Sequence, residues 1–300
     1  MKEKEIINLI KNITSSSYIG DDCAYLENLD IVVTQDSLVE DVHFSLKYST
    51  PYQIGFKSAM VNVSDICASG AEPLYATVAL SMPDKTDYKF VEDFYRGLKD
   101  AFKNVKIAGG DITGSDKLYI SITVIGSAKN RRISTRSGAK EGYKIIVSGE
   151  HGNSAKGLEI LKSTKLSSKN EKFINAHLMP NAKLRFSKEI AENIKDEYAM
   201  TDSSDGLADA LMNIAKSSGV TLDIDTSKIP HDKNVDMDTV LYGGEDYELV
   251  ACVPESILKY ITKYYLIGDV KKGNAGIILD NIFIDNIDDK IFNHFKSKNV

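Results

Sequence analysis

Short segments that join carboxylates to glycine, serine or threonine recur along this chain of 300 residues. Carboxylates in such small-residue settings are poorly suited to solvated helix faces and are typical of tight loops at strand ends. In such loops, carboxylate oxygens hold hard cations and backbone N–H groups bind phosphates. The recurrence therefore predicts a site with several Mg²⁺ ions and a polyphosphate. The segments are Gly20-Asp21-Asp22, Thr34-Gln35-Asp36, Asn62-Val63-Ser64-Asp65, Gly109-Gly110-Asp111, Thr201-Asp202-Ser203-Ser204-Asp205-Gly206 and Gly243-Gly244-Glu245-Asp246.

Taken singly, each segment also has a structural alternative. Asp beside Gly is a common turn residue, so turn chemistry stays open for Asp22, Asp36 and Asp111. Asp65 lies in a small, apolar helical stretch where a buried carboxylate needs a partner, which favours a metal or ligand over a structural hydrogen bond or helix cap. Residues 201–206 precede an apolar helix that a single Ser or Asp would cap. Two Asp and two Ser exceed that need, and they favour a metal–phosphate role.

Two further residues are candidates for ligand contacts. His43 follows Asp36 closely, and it either contacts a ligand or is a satisfied structural histidine. Arg136 is either a phosphate clamp, acting through its planar guanidinium, or an exposed linker arginine. The common nucleotide motifs do not occur, because residues 148–161 fail the Walker A spacing and no G-x-G-x-x-G fingerprint is found. No G-x-S-x-G elbow supports a serine nucleophile either.

The composition is that of an ordinary globular protein. Hydrophobic residues make up 42% and charged residues 27%, which argues against disorder and allows two domains or one large domain. The formal charge of −6 argues against nonspecific nucleic-acid binding, so bound phosphates would need Mg²⁺ or a local basic patch. No apolar run approaches a membrane span and no signal-peptide core is present, so we expect a cytoplasmic protein with no membrane partner. Cys23, Cys67 and Cys252 are expected to be reduced thiols.

The elements that must position these residues mix helices and strands in both halves of the chain. The predicted fold class is α/β or α+β with mixed sheets and two domains. The basic, polar stretch 129–142 is the best boundary, and it gives domains 1–138 and 139–300. In the first domain we expect a short N-terminal helix, strands over 30–34, 74–82, 105–108 and 117–128, and helices over 52–69 and 86–104, the latter capped by Thr86. The strands over 30–34 and 105–108 are expected to end at acidic loops. In the second domain we expect strands over 143–149, 247–254, 264–270, 276–280 and 282–285, with helices over 154–161, 187–193 and 207–217.

Taken together and in this order, seven motifs resemble the thiamine-monophosphate kinase family. They are GDDCAYL, TQDSLVEDVHF, NVSDICASGAEP, GGD, TRSGA, DSSDGLADAL and GGEDYELV, and the resemblance runs from about Gly20 into the C-terminal region. This family is part of a superfamily that includes aminoimidazole ribonucleotide synthetase and selenophosphate synthetase. The resemblance implies an N-terminal and a C-terminal α/β domain, and a homodimer built around paired N-terminal sheets.

The resemblance also implies an activity and a set of site residues. The reaction would transfer the γ-phosphoryl group of ATP directly and in line to thiamine monophosphate, giving thiamine diphosphate. No protein base or nucleophile is expected, because the acceptor phosphate is mostly ionised at neutral pH. The implied Mg²⁺ ligands are Asp22, Thr34, Gln35, Asp36, Asp65, Asp111, Asp202 and Asp205. The implied ATP contacts are Tyr95, Gly110, Asp111, Arg136 and Ser204, and the implied thiamine contacts are His43, Glu245 and Phe292.

One position departs from the family pattern, since Gln35 stands where the family often has Thr. A Gln carbonyl can ligate Mg²⁺ but reaches further than a hydroxyl. Two other interpretations stay open beside the kinase. The chain could be a relative that activates another acceptor with ATP, or a non-catalytic protein that binds nucleotides or divalent cations.

Overall fold

The computed structural model describes residues 3–163 and 170–291, which form two mixed β-sheets with helices packed against them. The helices are α1 (Glu3–Thr14), α2 (Pro51–Ala68), α3 (Tyr88–Phe102), α4 (Asn153–Lys162), α5 (Glu171–Leu178), α6 (Leu184–Ala191), α7 (Leu207–Ser218) and α8 (Met237–Tyr242). The strands of the first half are β1 (Ala24–Leu26), β2 (Ile31–Val39), β3 (Glu72–Met82), β4 (Lys106–Gly114) and β5 (Tyr119–Ser127). Those of the second half are β6 (Lys144–Val147), β7 (Ala199–Asp202), β8 (Thr221–Ile224), β9 (Leu249–Val253), β10 (Tyr265–Lys271), β11 (Gly276–Leu279) and β12 (Ile282–Ile284).

The first sheet has five strands in the order β1-β2-β5-β3-β4. Only the β3–β4 pair is parallel among these strands. Side chains alternate along β2, so Val32, Thr34 and Leu38 are buried on the side of α2 while Gln35 is exposed on the opposite face. The sheet therefore presents its buried row to the helices and leaves its other face uncovered within the described chain.

Helix α2 is the element on which both halves meet. It begins with a capping box, in which the Thr50 hydroxyl accepts from the Gln53 amide and the Gln53 side chain accepts from the Thr50 amide. Nearly all of its later residues are buried, as in a helix enclosed on every side. It packs on α3, β2 and β5 of the first half and on α6 and β7 of the second. The crossing with α3 is close, because a Cβ at Gly55 would lie 2.0 Å from the Phe94 carbonyl oxygen.

The second sheet has seven strands in the order β12-β11-β8-β10-β6-β9-β7. Of its pairs, β11 with β8 is parallel and the others are antiparallel. One apolar cluster lies within this half, and another joins the first sheet and α2 to side chains such as Ile190, Met200 and Ala251 of the second half. Because this second cluster crosses between the halves, residues on α2 are fixed against residues on β7 and β9.

Three predictions about element ends are wrong. The strand predicted over 30–34 continues to Val39, so Asp36 lies within β2 and not in a loop. Its pairing with β5 is unbroken, and the alternating burial continues to Leu38. The strand predicted to end before Gly109 runs to Gly114, because the parallel pairing with β3 persists through both glycines. Helix α3 is capped by Asp87, whose carboxylate accepts from the Phe90 amide, and not by Thr86.

The other predicted helices and strands occur close to their predicted positions. The strands of the two sheets are separated in the chain by residues 128–143, although the domain division at 138 stays a prediction. Among the described residues, no helix has the length and apolar character needed to cross a membrane.

Candidate active site

Three carboxylates from distant parts of the chain meet beside α2. Asp22 lies just before β1, Asp65 is in the last turns of α2, and Asp202 ends β7. One oxygen of each lies within 4.8 Å of the others. We call these three residues the acidic cluster. Since Mg²⁺ sits about 2.0–2.1 Å from its oxygen ligands, two oxygens on one ion lie at most about 4.2 Å apart. Small side-chain movements would therefore let one ion contact all three carboxylates.

Neighbouring hydroxyl groups orient two of these carboxylates. The Thr34 hydroxyl donates to Asp65 Oδ2 at 2.7 Å, because Thr34 is on the inward face of β2. The Ser64 hydroxyl donates to Asp202 Oδ2 at 2.5 Å, so α2 provides both Asp65 and the hydroxyl that orients Asp202. Hydrogen bonds of this kind hold the carboxylates in place without neutralising them.

The acidic cluster has an excess of negative charge. Burial, followed by the carboxylates of Asp36, Asp202 and Asp22, raises the pKa of Asp65 well above its ordinary value. Burial and the neighbouring Asp22 carboxylate raise the pKa of Asp202 to about 7, although the Ser64 hydrogen bond opposes the shift. Like charges in a buried site are costly unless a cation compensates them. The arrangement is therefore suited to binding cations.

Arg136 provides the nearest protein cation. Its Nη2 lies 2.6 Å from Asp22 Oδ1, and its backbone amide donates to Asp21 Oδ1 at 2.7 Å. The Thr201 hydroxyl also donates to Asp22 Oδ1, at 2.9 Å. The Asp22 charge is the main cause that raises the pKa of Arg136. Its buried Nε has no hydrogen-bond partner among the described residues, so part of the guanidinium remains available to an anion.

Asp36 lies close to the acidic cluster. Its backbone amide donates to the Asn62 side-chain oxygen at 2.9 Å, which ties β2 to α2. Its carboxylate contributes to the raised pKa values of both Asp65 and Asp202. The structure thus brings together five of the predicted Mg²⁺ ligands, which are Asp22, Thr34, Asp36, Asp65 and Asp202.

A cavity of about 190 Å³ opens beside the acidic cluster. It lies between the segment before β1, the end of α2 and the chain that follows β5. Its lining consists of Ser17, Tyr18, Asp21, Asp22, Cys23, Tyr25, Ser69, Ile133, Ser134 and Thr135. Two of these residues are carboxylates and six carry hydroxyls, four on small side chains and two on phenols, so polar groups line the space next to Asp22.

The loops after β7 and before β9 lie against each other. The Glu245 amide donates to the Ser204 carbonyl at 2.6 Å, and the Ser203 amide donates to the Glu248 carbonyl at 2.8 Å. A Cβ at Gly244 would lie 2.7 Å from the Ser204 carbonyl oxygen, so this approach requires glycine. Predicted site residues Ser204 and Glu245 are therefore neighbours, whereas Asp205 is exposed at the turn of its loop.

Glu245 is the centre of a second charged group. Its Oε1 lies 2.9 Å from Lys57 Nζ, and its Oε2 lies 3.4 Å from His177 Nδ1. We call Glu245, Lys57 and His177 the Glu245 network. Burial opposes ionisation of Glu245, but Lys57 and then His177 outweigh it and lower its pKa, with a smaller contribution from His43. Lys57 also donates to the His43 carbonyl at 3.2 Å, so two of the three predicted thiamine contacts, His43 and Glu245, belong to this region.

Tyr247 connects the two charged regions. It is 7% exposed, and its pKa is raised by burial, then by Glu245 and by Asp36, Asp202 and Asp65. A side chain that feels both sets of carboxylates lies near both. Lys57 and Asp65 also lie about two turns apart on α2, so the Glu245 network and the acidic cluster are neighbours at the contact between the two halves of the chain.

Gln35 and Asp111 lie apart from the acidic cluster. The Gln35 side chain is hydrogen-bonded to Ser121 and Thr123 on the uncovered face of the first sheet. Asp111 is on the exposed edge strand β4, which is separated from β2 by the two strands β5 and β3. The sheet register aligns Asp36 with Gly110 across three strand spacings, a separation of roughly 14 Å. Within one chain, Asp111 cannot share an ion with the acidic cluster.

Two other predicted residues are placed differently. Tyr95 is on α3 and is partly buried against the apolar cluster that joins the two halves. Its ring is in edge-to-face contact with that of Phe94, at 5.4 Å between ring centroids. No described contact joins it to the acidic cluster. Phe292 lies outside the described residues.

Sequence reasoning missed several residues that organise the site. Lys57 and His177 surround Glu245, and Asn62 holds β2 beside α2. A lysine within the otherwise apolar stretch of α2 was a usable signal, because a buried lysine requires an acidic partner. Asp246, which was singled out with Glu245, has a structural role, since it accepts from the Gly152 and Ser154 amides at the start of α4.

Comparisons with known proteins place the chain in a family. Residues 20–128 match the AIR synthase related protein N-terminal domain, and residues 140–280 match the corresponding C-terminal domain. The thiamine-monophosphate kinase of Aquifex aeolicus is 34% identical over 97% of both chains, and that of Bacillus subtilis is 32% identical over 93% of both. The chain belongs to the thiamine-monophosphate kinase family.

Solved structures agree with this family membership. AaThiL complexed with AMPPCP and TMP superposes with a TM-score of 0.89 at 31% identity, covering 98% of this chain and 97% of that one. The family member from Stenotrophomonas maltophilia K279a has a TM-score of 0.77 at 28% identity, with 92% and 96% covered. The hydrogenase maturation protein HypE of E. coli, at 16% identity and a TM-score of 0.67 over 95% and 97%, shares the fold. The predicted α/β fold class and family resemblance are confirmed.

Proposed function

We propose that the protein transfers the γ-phosphoryl group of ATP to the phosphate of thiamine monophosphate, giving thiamine diphosphate and ADP. The observation that carries the proposal is the acidic cluster beside Arg136, in a chain of this family, with the Glu245 network near the same tyrosine. The family relatives are thiamine-monophosphate kinases, and a neighbour of known structure holds an ATP analogue with thiamine monophosphate. ATP is therefore the expected co-substrate.

The residues present fit Mg²⁺. Asp22, Asp65 and Asp202 would hold it, with Asp36 and Thr34 close by, because hard cations select oxygen ligands and the cluster lacks enough positive charge of its own. When bound, Mg²⁺ would supply the positive charge that lets two phosphate groups approach each other. Asp205, on the neighbouring loop, is proposed as a ligand of a further ion.

The protein's own groups position the phosphates. Arg136 is fixed at its backbone by Asp21 and presents a buried, partly unpartnered guanidinium to an incoming anion. Ser204 carries a hydroxyl beside the glycine-rich loop that holds Glu245. The acceptor phosphate is mostly ionised at neutral pH, so no protein group needs to remove its proton. Direct in-line transfer without a phosphoenzyme requires only this positioning and charge balance.

The Glu245 network is proposed to contact the thiamine part of the acceptor. Thiamine carries a cationic thiazolium ring and an aminopyrimidine, and a carboxylate can pair with either. Glu245 retains 26% exposure of its side chain and stays ionised, so it can face a ligand. His43 lies beside the Glu245 network. Its carbonyl oxygen accepts from Lys57 Nζ, and its ring Nδ1 accepts from the Val39 amide. Phe292 remains a proposed stacking residue.

A second copy of the chain is proposed to complete the nucleotide site. Gly110 and Asp111 lie on an edge strand whose residues are all exposed, and the uncovered sheet face carries Tyr75 and Tyr119. Such an edge and face are normally covered by a partner. A homodimer paired through the first sheets would bring these residues toward a second chain's acidic cluster. We propose that Tyr95 belongs to the same nucleotide site. We also propose that the chain divides into two domains, residues 1–138 and residues 139–300.

The test is an acceptor panel. Purified protein is supplied with ATP, Mg²⁺ and one acceptor at a time, namely thiamine monophosphate, thiamine or pyridoxine phosphate, and the kcat/KM of each is measured. We expect thiamine monophosphate to exceed the others by at least about 10³-fold, since a site built to pair with a polar group rejects analogues that lack it. A better acceptor than thiamine monophosphate would identify a relative with another substrate. Nucleotide binding without any transfer would identify a non-catalytic protein. As ATP is the donor, we expect the reaction to occur in the cytoplasm.

A further inference from the structure

We infer that Lys57 is a positioning residue for the acceptor, because it ties Glu245 of the second half to His43 of the first. Its role rests on the proposed function, in which Glu245 and His43 contact thiamine. Neither the sequence motifs nor the family resemblance pointed to this lysine. It extends the site from the residues that contact the acceptor to one that holds those residues in place.

Lys57 is a buried lysine that contacts two distant segments of the chain, unlike a lysine on the surface. Its side chain is 3% exposed, and its Nζ lies 2.9 Å from Glu245 Oε1 while donating to the His43 carbonyl oxygen at 3.2 Å. Helix α2 fixes the lysine backbone within the shared core. One ammonium group therefore spans two candidate thiamine contacts that are about 200 positions apart in the sequence.

The loop that Lys57 holds needs such support. Glu245 has φ +67° and Tyr247 has φ +52°, both in the left-handed region that side chains other than glycine rarely adopt. Strained backbone of this kind persists only where the surroundings over-determine it, and it concentrates at functional sites. Here the Ser204 carbonyl holds the Glu245 amide at 2.6 Å, and Lys57 holds its carboxylate.

Lys57 is also the charge that keeps Glu245 ionised. His177, the other neighbour of Glu245, is neutral at physiological pH because burial and then the Lys57 charge lower its pKa to about 4. His177 Nδ1 is shared between the Ser154 hydroxyl at 3.1 Å and Glu245 Oε2 at 3.4 Å. Without the lysine, a partly buried carboxylate would face a neutral imidazole, and its loop would lose a fixed side-chain partner.

The experiment compares steady-state kinetics of Lys57→Met, Lys57→Arg and wild type. For Lys57→Met we expect the KM for thiamine monophosphate to rise about 10–100-fold, because small displacements of positioning groups have effects of this size. The KM for ATP should stay within about threefold of wild type, since the acidic cluster and Arg136 do not contact Lys57. Lys57→Arg keeps the charge and should recover most of the loss.

Two further variants guard against a structural explanation. Lys57→Met with Glu245→Gln leaves no unpaired charge, so it should fold even where the single lysine variant does not. We expect the loss of Lys57 to raise the KM for thiamine monophosphate less in the Glu245→Gln background than in wild type, because only the link to His43 remains to be lost there. The matched control is Lys144→Met, which breaks a 2.7 Å ion pair to Asp269 between β6 and β10. It should leave both KM values unchanged.

The outcomes separate the two claims. If wild type does not phosphorylate thiamine monophosphate, the proposed function and the role of Lys57 both fall. If wild type is active and folded Lys57→Met keeps its KM for thiamine monophosphate, only the role of Lys57 falls. Equal increases in both KM values, or no recovery in Lys57→Arg alongside a lowered melting temperature, would mean that the lysine serves stability alone.

Discussion

The acidic cluster and the Glu245 network lie near the same tyrosine, yet their charges are balanced in different ways. In the acidic cluster, three carboxylates have oxygens within 4.8 Å of one another, and one of them, Asp22, is paired with the Arg136 guanidinium. In the Glu245 network, one carboxylate has its own buried lysine and a neutral histidine. The pKa of Asp65 is raised and that of Glu245 is lowered, although both are carboxylates that burial disfavours.

This contrast indicates which ligand each region takes. In a region that is short of positive charge, the carboxylates repel one another, and a divalent cation relieves this repulsion on binding and can then hold phosphates. A region whose charges are already balanced can bind an organic group with little change in net charge. It contributes by orienting that group. Carboxylates of neighbouring regions thus have separate roles that are set by the charges around them, so replacing them should change different kinetic constants.

The largest expected effect is that of Asp65→Asn on turnover. The substitution keeps the shape and the Thr34 hydrogen bond but removes one negative ligand from the acidic cluster. We expect kcat to fall by about 10³-fold with far-ultraviolet circular dichroism unchanged, since charge stabilisation contributes the most to phosphoryl transfer. Asp202→Asn should behave in the same way. Near wild-type turnover in either variant would remove that residue from the cation site.

The next effect is that of Glu245→Gln on substrate binding. Here we expect the KM for thiamine monophosphate to rise about 10–100-fold while the KM for ATP changes little. The measurement is a pair of saturation curves, one with each substrate varied. A Glu245→Gln enzyme whose KM for ATP rises instead would place Glu245 on the nucleotide side and erase the contrast between the regions.

A smaller effect concerns stability without metal. The folded-state pKa of Asp65 lies above its unfolded value, so ionisation of Asp65 opposes folding. The stability that the protonated Asp65 carboxyl contributes is therefore lost as pH rises through the folded-state pKa. At neutral pH in EDTA, Asp65→Asn should therefore melt roughly 2–6 °C higher than wild type. Added Mg²⁺ should raise the midpoint of wild type more than that of the variant. Equal responses to Mg²⁺ would show that the acidic cluster is not where the ion binds.

The smallest effect is expected for Gln35→Thr. The Gln35 side chain points away from the acidic cluster and is hydrogen-bonded to Ser121 and Thr123. Thr is the residue that the family often has there, so we expect kcat to change by less than about threefold. Gln35→Ala provides the comparison that lacks a side-chain oxygen. A tenfold change in Gln35→Thr would show that the reach of this side chain matters to the reaction.

The sequence was informative where local pattern and function coincide. Asp65 was identified as a carboxylate needing a partner because its helical stretch is otherwise small and apolar, and its partners are Thr34 and the acidic cluster. The ends of β2 and β4 were not predicted, because polar and glycine residues inside a strand resemble a loop until the neighbouring strand is known. Lys57 and His177 were missed for a related reason, since their partner Glu245 lies far away in the sequence. The strand ends and the partners of Glu245 depend on contacts between residues far apart in the sequence, which local periodicity does not reveal.

The most direct test is the product balance of one reaction mixture that contains wild-type protein, ATP, Mg²⁺ and thiamine monophosphate. ADP and thiamine diphosphate are quantified together over time, with Asp65→Asn in parallel. We predict equal amounts of the two products from wild type and at most traces of either from the variant. ADP without thiamine diphosphate, or undiminished thiamine diphosphate from Asp65→Asn, would contradict a kinase that works through its acidic cluster.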